Sequence, residues 1–76
     1  MTKAPIPILA ETTGSLWKIV AQPGEHHDAG AELFVLESMK MEIPVEAECA
    51  GTIHEYHVAE GNVVEEGQPI ATFIPD

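Results

Sequence analysis

Apolar residues along this chain come in short runs closed off by glycine and proline. No segment sustains a 3.6-residue apolar period. Prolines at positions 5, 7, 23, 44, 69 and 75 argue further against long helices. The runs are rich in β-branched, aromatic and leucine residues, the composition of strands. Glycines fall where turns are needed, because glycine reaches positive φ without a Cβ clash. Within GTIHEYHV, the apolar positions Ile53, Tyr56 and Val58 step by three and then by two. That break in alternation predicts a β-bulge or a bend.

The pattern repeats along the chain. Gly14, Gly24 and Gly30 precede Gly51, Gly61 and Gly67 by one common interval of 37 residues. The apolar positions follow at the same interval. Leu16 falls on Ile53, Ile19 on Tyr56, Ala21 on Val58, Leu33 on Ile70 and Leu36 on Phe73, while Glu11 falls on Glu48. Three glycines in register, with apolar residues following, mark an internal duplication. About four short strands per repeat gives about eight in all. The pattern predicts an all-β flattened barrel or sandwich of two four-stranded sheets with quasi-two-fold symmetry. One domain is expected over 1–76, with repeat halves at about 10–37 and 47–74 and a hairpin at 37–43 between them. The junction between repeats should lie at one end of the molecule and both termini at the other.

That junction, LFVLESMKMEIPVEA, breaks a local rule. Leu33–Leu36 and Met41–Val45 read as antiparallel partners, so Ser38-Met39-Lys40 must turn. Tight hairpins favour glycine, asparagine or aspartate, and none is present. Local rules tend to fail at functional sites. Two readings fit. Lys40 is a solvated turn lysine between two core methionines, or it is held out from the tip for chemistry.

Composition narrows the choice of function. Three lysines, no arginine and 13 acidic groups leave a formal net charge of −10 with histidines neutral. Nucleic acid and anionic membrane surfaces repel such a chain. About 45% apolar residues is too rich for a disordered acidic tail. At this length only about 60% of the unfolded surface is buried, which leaves little room for a deep catalytic cleft. The single cysteine, Cys49, cannot form an internal disulfide, and it reads as a small, partly buried thiol in a reducing, cytoplasmic setting. The N-terminus has no signal-peptide pattern and no run is long enough to span a membrane.

The residues at the junction carry a family resemblance. Glu37-Ser38-Met39-Lys40-Met41-Glu42, followed eleven residues after the lysine by Gly51-Thr52-Ile53, resembles the biotinyl domains of biotin-dependent carboxylases, the biotin carboxyl carrier proteins. The later EGNVVEEGQPI is similar to the second repeat of that family, and the likeness covers about residues 10–74. Met-Lys-Met at the junction separates it from lipoyl domains, which usually show Asp-Lys-Ala there. Two positions depart from the family pattern. Thr12-Thr13 stands where a Met-Pro precedes the first glycine, and Ser38 stands where alanine is common. Gly14 to Gly24 spans the same interval as Gly51 to Gly61, so the inserted thumb of some members is not expected. The initiating methionine and the missing Ala/Pro-rich linker fit a short stand-alone carrier.

The resemblance implies a biotinyl/lipoyl hammerhead fold and a carrier without catalytic residues. It implies that a biotin protein ligase joins biotin to Lys40 as an amide. Lysine suits this role because its neutral amine is a good nucleophile on a long, flexible stem. The biotin would accept a carboxyl group at a biotin carboxylase and deliver it at a carboxyltransferase, to acetyl-CoA in fatty acid synthesis or to another acyl-CoA. Met39 and Met41 would mark a biotin acceptor, and Glu37, Ser38 and Glu42 would aid ligase or carboxylase recognition. The plain reading of the two glutamates is ordinary hairpin charge. A lipoyl carrier of a 2-oxo acid dehydrogenase or glycine-cleavage system, and an unmodified interaction module, remain as alternatives. Biotinylation would take the formal charge from −10 to −11, and the acidity would then steer the carrier to basic partner surfaces.

Other clusters promise less. His26-His27 fall in an expected loop, and His54 and His57 should face opposite ways on a strand unless a bulge intervenes. No Cys/His spacing matches a zinc site, so no metal is expected. Trp17 maps onto His54, which places it on the less buried face as a strand-packing or partner residue.

Overall fold

A computed structural model describes residues 4–76, so Lys3 lies outside the described residues. Eight strands account for the regular structure: β1 (Ile6–Leu9), β2 (Gly14–Ile19), β3 (His26–His27), β4 (Glu32–Ser38), β5 (Met41–Glu46), β6 (Gly51–Tyr56), β7 (Val63–Val64) and β8 (Pro69–Pro75). They form two four-stranded antiparallel sheets, ordered β1-β8-β6-β3 and β5-β4-β2-β7. Among the described residues no helix is long and apolar enough to cross a membrane. The molecule measures 40 × 18 × 16 Å.

The 37-residue interval reappears in three dimensions. β2, β3 and β4 begin at Gly14, His26 and Glu32, and β6, β7 and β8 begin at Gly51, Val63 and Pro69. The hydrogen bonds repeat too. Gly24 N donates to Ile53 O at 2.8 Å and Gly61 N to Leu16 O at 2.6 Å, while Gly30 N donates to Ala47 O and Gly67 N to Ala10 O. Each bond crosses from one repeat to the other, so neither half closes its backbone without its partner. The four glycines involved have φ between 85° and 90°, where a side chain would be strained. β8 pairs with β1 in the register that β4 uses with β5, shown by Ile6↔Phe73 and Ile43↔Leu36. The ends of the described chain therefore meet at the place that the pseudo-two-fold exchanges with the β4–β5 hairpin.

Residues paired by the repeat fill the core together. Leu16, Ile53, Leu33, Ile70, Leu36 and Phe73 are all buried. Burying side chains of this kind stabilises a fold by about 1.5–3 kcal/mol each. Symmetry is broken where volume demands it. Phe34 maps onto Ala71, and both are fully buried, so one large ring serves where two would overpack. Phe34 meets Tyr56 edge-on, with ring centroids 6.1 Å apart.

The bulge expected in the second repeat lies between Ile53 and Glu55, and a matching one lies between Leu16 and Lys18. Trp17 is the extra residue on the latter and is 46% exposed. The connection from β2 to β3 is as long as that from β6 to β7, with no inserted element between them. One expectation is corrected. His26-His27 form a short strand, pairing with Thr52 and Gly51 of β6, and not a loop. The cause is tertiary, since the ladder partner belongs to the other repeat.

Candidate functional site

β4 runs out of the core into the hairpin. Leu33 to Leu36 are buried, Glu37 is exposed, and Ser38 pairs with Met41 across the turn. Only Met39 and Lys40 remain to make the connection, with φ of 50° and 66°. Positive φ at both central residues is the signature of a type I′ turn, whose twist matches the flanking strands. Neither residue is suited to it, because the left-handed region costs a side chain about 1–2 kcal/mol.

The base of the hairpin holds this conformation. Ser38 Oγ donates to Thr13 O at 2.8 Å, and Thr13 Oγ1 accepts from Glu66 N at 3.1 Å. Gly14 lies so close to β4 that a Cβ there would overlap the Glu37 carbonyl oxygen. Gly51 stands in the same relation to Ile74 O and the Phe73 ring. In the sequence Thr13 stands out only as a departure from the family pattern. Its role as the carbonyl that anchors Ser38 depends on a contact 25 residues away, which no local signal reveals.

The tip itself is exposed. Met39 is 92% exposed and Met41 65%, so neither is the core methionine that one reading of the sequence expects. Lys40 is exposed between them. Among the described residues the close contacts between basic and acidic side chains are His26–Asp76 and His27–Glu25, and Lys40 is in neither. Glu37 and Glu42 face each other across the ladder, both exposed. Like charges opposed in this way are disfavoured. Lys18, the other described lysine, sits within β2 opposite Val35 and not at a turn.

The remaining histidines do not assemble a site. His57 Nε2 is 2.7 Å from Thr72 Oγ1, and His26 Nε2 is 2.8 Å from Asp76 Oδ2. Among the described residues no three His, Cys, Asp or Glu side chains converge on one point. Cys49 is a half-buried free thiol.

A small double sheet thus presents a lysine at the apex of a two-residue hairpin turn. Comparison with known proteins gives the family. A family model described as biotin-requiring enzyme matches residues 2–73, and the chain belongs to that family as a biotinyl domain, a non-catalytic carrier whose cofactor is biotin. It is similar to a biotin/lipoyl attachment protein of Bacillus subtilis (strain 168), 42% identical over 57 residues, covering 75% of this chain and 78% of the relative. It is similar to a biotinylated protein TB7.3 homolog of Mycobacterium leprae (strain TN), 41% identical over 64 residues, covering 84% and 90%. A single-chain, multi-domain long-chain acyl-CoA carboxylase superposes at a TM-score of 0.90 with 32% identity, covering 95% of this chain and 7% of that one.

The site's chemistry fits the cofactor. Amide formation with biotin needs a primary amine that a ligase can reach from several sides, and Lys40 offers one at an exposed two-residue apex.

Proposed function

We propose that Lys40 is the biotin attachment residue. We propose also that the domain carries a carboxyl group between a biotin carboxylase and a carboxyltransferase. The observation that supports this reading most directly is the pair of left-handed, exposed residues Met39 and Lys40 at the tip. A biotin protein ligase would form the amide: the Lys40 Nζ lone pair attacks the activated biotin carboxyl carbon, the activating group leaves, and the nitrogen gives up a proton. A lysine amine is protonated at neutral pH, so the ligase must also remove one proton before the lone pair can attack. Attached biotin supplies the ring that accepts and releases the carboxyl group. The chain's own part is positional. The hairpin fixes where the lysine stem starts, and tethering keeps the group at high local concentration between two active sites.

Met39 and Met41 offer polarizable thioethers to the ligase or to the biotin ring. Glu37, Ser38 and Glu42 frame the lysine, with Ser38 fixing the hairpin base and the two glutamates supplying charge for recognition. The acceptor is an acyl-CoA, with acetyl-CoA and fatty acid synthesis as the first choice. The similarity to a carrier segment of an acyl-CoA carboxylase supports that class.

Intact-mass analysis after co-expression with a biotin protein ligase tests the attachment. One biotinyl mass is expected on the wild-type chain and none on Lys40→Arg, which should remain folded. A lipoyl mass, or no added mass with an active ligase, would refute it. Reconstitution with candidate carboxyltransferases then identifies the acceptor.

A further inference from the structure

A second surface lies away from the hairpin. Edge strands β1 and β5 leave between them a pocket of about 290 Å³. Its apolar lining includes Ile8, Val45 and Phe73, and Glu11, Glu46 and Glu48 also line it. Ile8 and Val45 are related by the 37-residue repeat, and so are Glu11 and Glu48. The pocket therefore draws part of its lining from equivalent positions on the two edge strands and the turns that follow them. Ile6 and Leu9, which also line it, are 37% and 44% exposed. Among the described residues that line it there is no basic group.

We infer that this pocket between β1 and β5 is a docking site for a short basic and apolar segment of a partner protein. One apolar side chain enters between Ile8 and Val45, while Glu11, Glu46 and Glu48 hold the lysines or arginines that flank it. Charge complementarity selects this occupant. A second copy of the chain brings the same carboxylates and a net charge of −10, so it is repelled. Strand addition is also disfavoured. Pro7 lies within β1 and Pro44 within β5, and each removes a backbone donor from an exposed edge. What the edges offer is a gap for a side chain.

The position fits a carrier. From Met41 to Glu46 the chain advances five residues along β5, about 17 Å at about 3.4 Å per residue. A partner held at Glu46 therefore leaves Lys40 clear. Weak docking of this kind keeps a carrier near its enzymes while its arm moves. The inference does not depend on what modifies Lys40.

The test uses the full chain, labelled with ¹⁵N, and the peptide acetyl-Lys-Lys-Leu-Lys-Lys-amide as probe. Amide shifts are expected to concentrate on Ile8, Leu9 and the segment from Glu46 to Cys49. Replacing the peptide leucine by serine should weaken binding by about tenfold or more, because the buried apolar side chain is lost. Glu46→Gln with Glu48→Gln, both at exposed positions, should weaken it by about tenfold through lost charge. Lys40→Arg should leave it unchanged. Equal affinity for the serine peptide, or shifts spread over the acidic surface, would overturn the inference. So would the absence of shifts at roughly a few millimolar peptide.

Discussion

Met39 is the residue on which the strain argument is most exposed to test. Its φ of 50° places a β-carbon in the left-handed region, at a cost of about 1–2 kcal/mol. It is 92% exposed, so its removal forfeits almost no apolar burial. Met39→Gly relieves the strain but adds chain freedom in the unfolded state, which offsets about 0.5–1 kcal/mol. Met39→Asn keeps a side chain of a type that tolerates this region. Both variants should therefore gain about 0.5–1 kcal/mol. For a domain of this size that raises Tm by about 2–8 °C. Met41 provides the control. It is 65% exposed but lies in β5 with no positive φ, so Met41→Asn should be neutral or slightly destabilising. Urea and thermal unfolding of the three variants measure this directly. If Met39→Asn gains no more than Met41→Asn, the turn is not strained and the reasoning fails. A stabilised Met39 variant that is biotinylated more slowly would show that the sequence retains the strained residue for recognition.

Other positions make further demands. Gly14→Ala sets a Cβ against the Glu37 carbonyl and Gly51→Ala sets one against Ile74 O and the Phe73 ring, so each should lose about 2 kcal/mol or more in urea unfolding, with Gly51→Ala the worse. Only Gly14→Ala should also slow biotinylation, because it disturbs the base of the hairpin. Tyr56 donates to Ala21 O at 2.6 Å and also reaches Leu33 O at 3.2 Å, and Tyr56→Phe should lose about 1 kcal/mol. Burial, aided by the charge of Glu25, pushes the Tyr56 phenol up to about 12; a spectroscopic titration that finds an ordinary phenol would contradict that packing. The hydrogen bond and charge of Asp76 raise the pKa of His26. Its contribution to stability is thus complete below the ordinary imidazole value of 6.5 and fades as pH rises through the folded value. An NMR titration should show the pKa of His26 falling in Asp76→Asn.

Features governed by local spacing were legible in the sequence. The repeat predicts strands, buried pairs and sheet symmetry because each position has one partner at a constant interval. The irregular step from Ile53 to Tyr56 predicts a bulge because strand side chains alternate strictly. The turn at Met39-Lys40 stands out because its residues are wrong for a hairpin. What sequence reasoning misses is made by long-range pairing. His26-His27 become a strand only through β6. Thr13 matters only because Ser38 reaches its carbonyl. The pocket between β1 and β5 exists because edge strands of the two different sheets leave a gap between them.

The same duplication explains why one strand pair closes in a tight turn and its counterpart does not. The pseudo-two-fold places the β8–β1 pair where the β4–β5 hairpin would be, with Ile6-Pro7 matching Ile43-Pro44. In one half the two strands are joined by a two-residue turn, which fixes both dihedrals of the lysine that forms it. In the other half the strands are not joined by a turn between them, and Asp76 is instead tied back through its backbone N–H to Ala50 O at 3.0 Å. Closure by a strained turn, not strand pairing or exposure alone, sets Met39 and Lys40 apart from every other described non-glycine position of the fold, and of the two only Lys40 carries an amine.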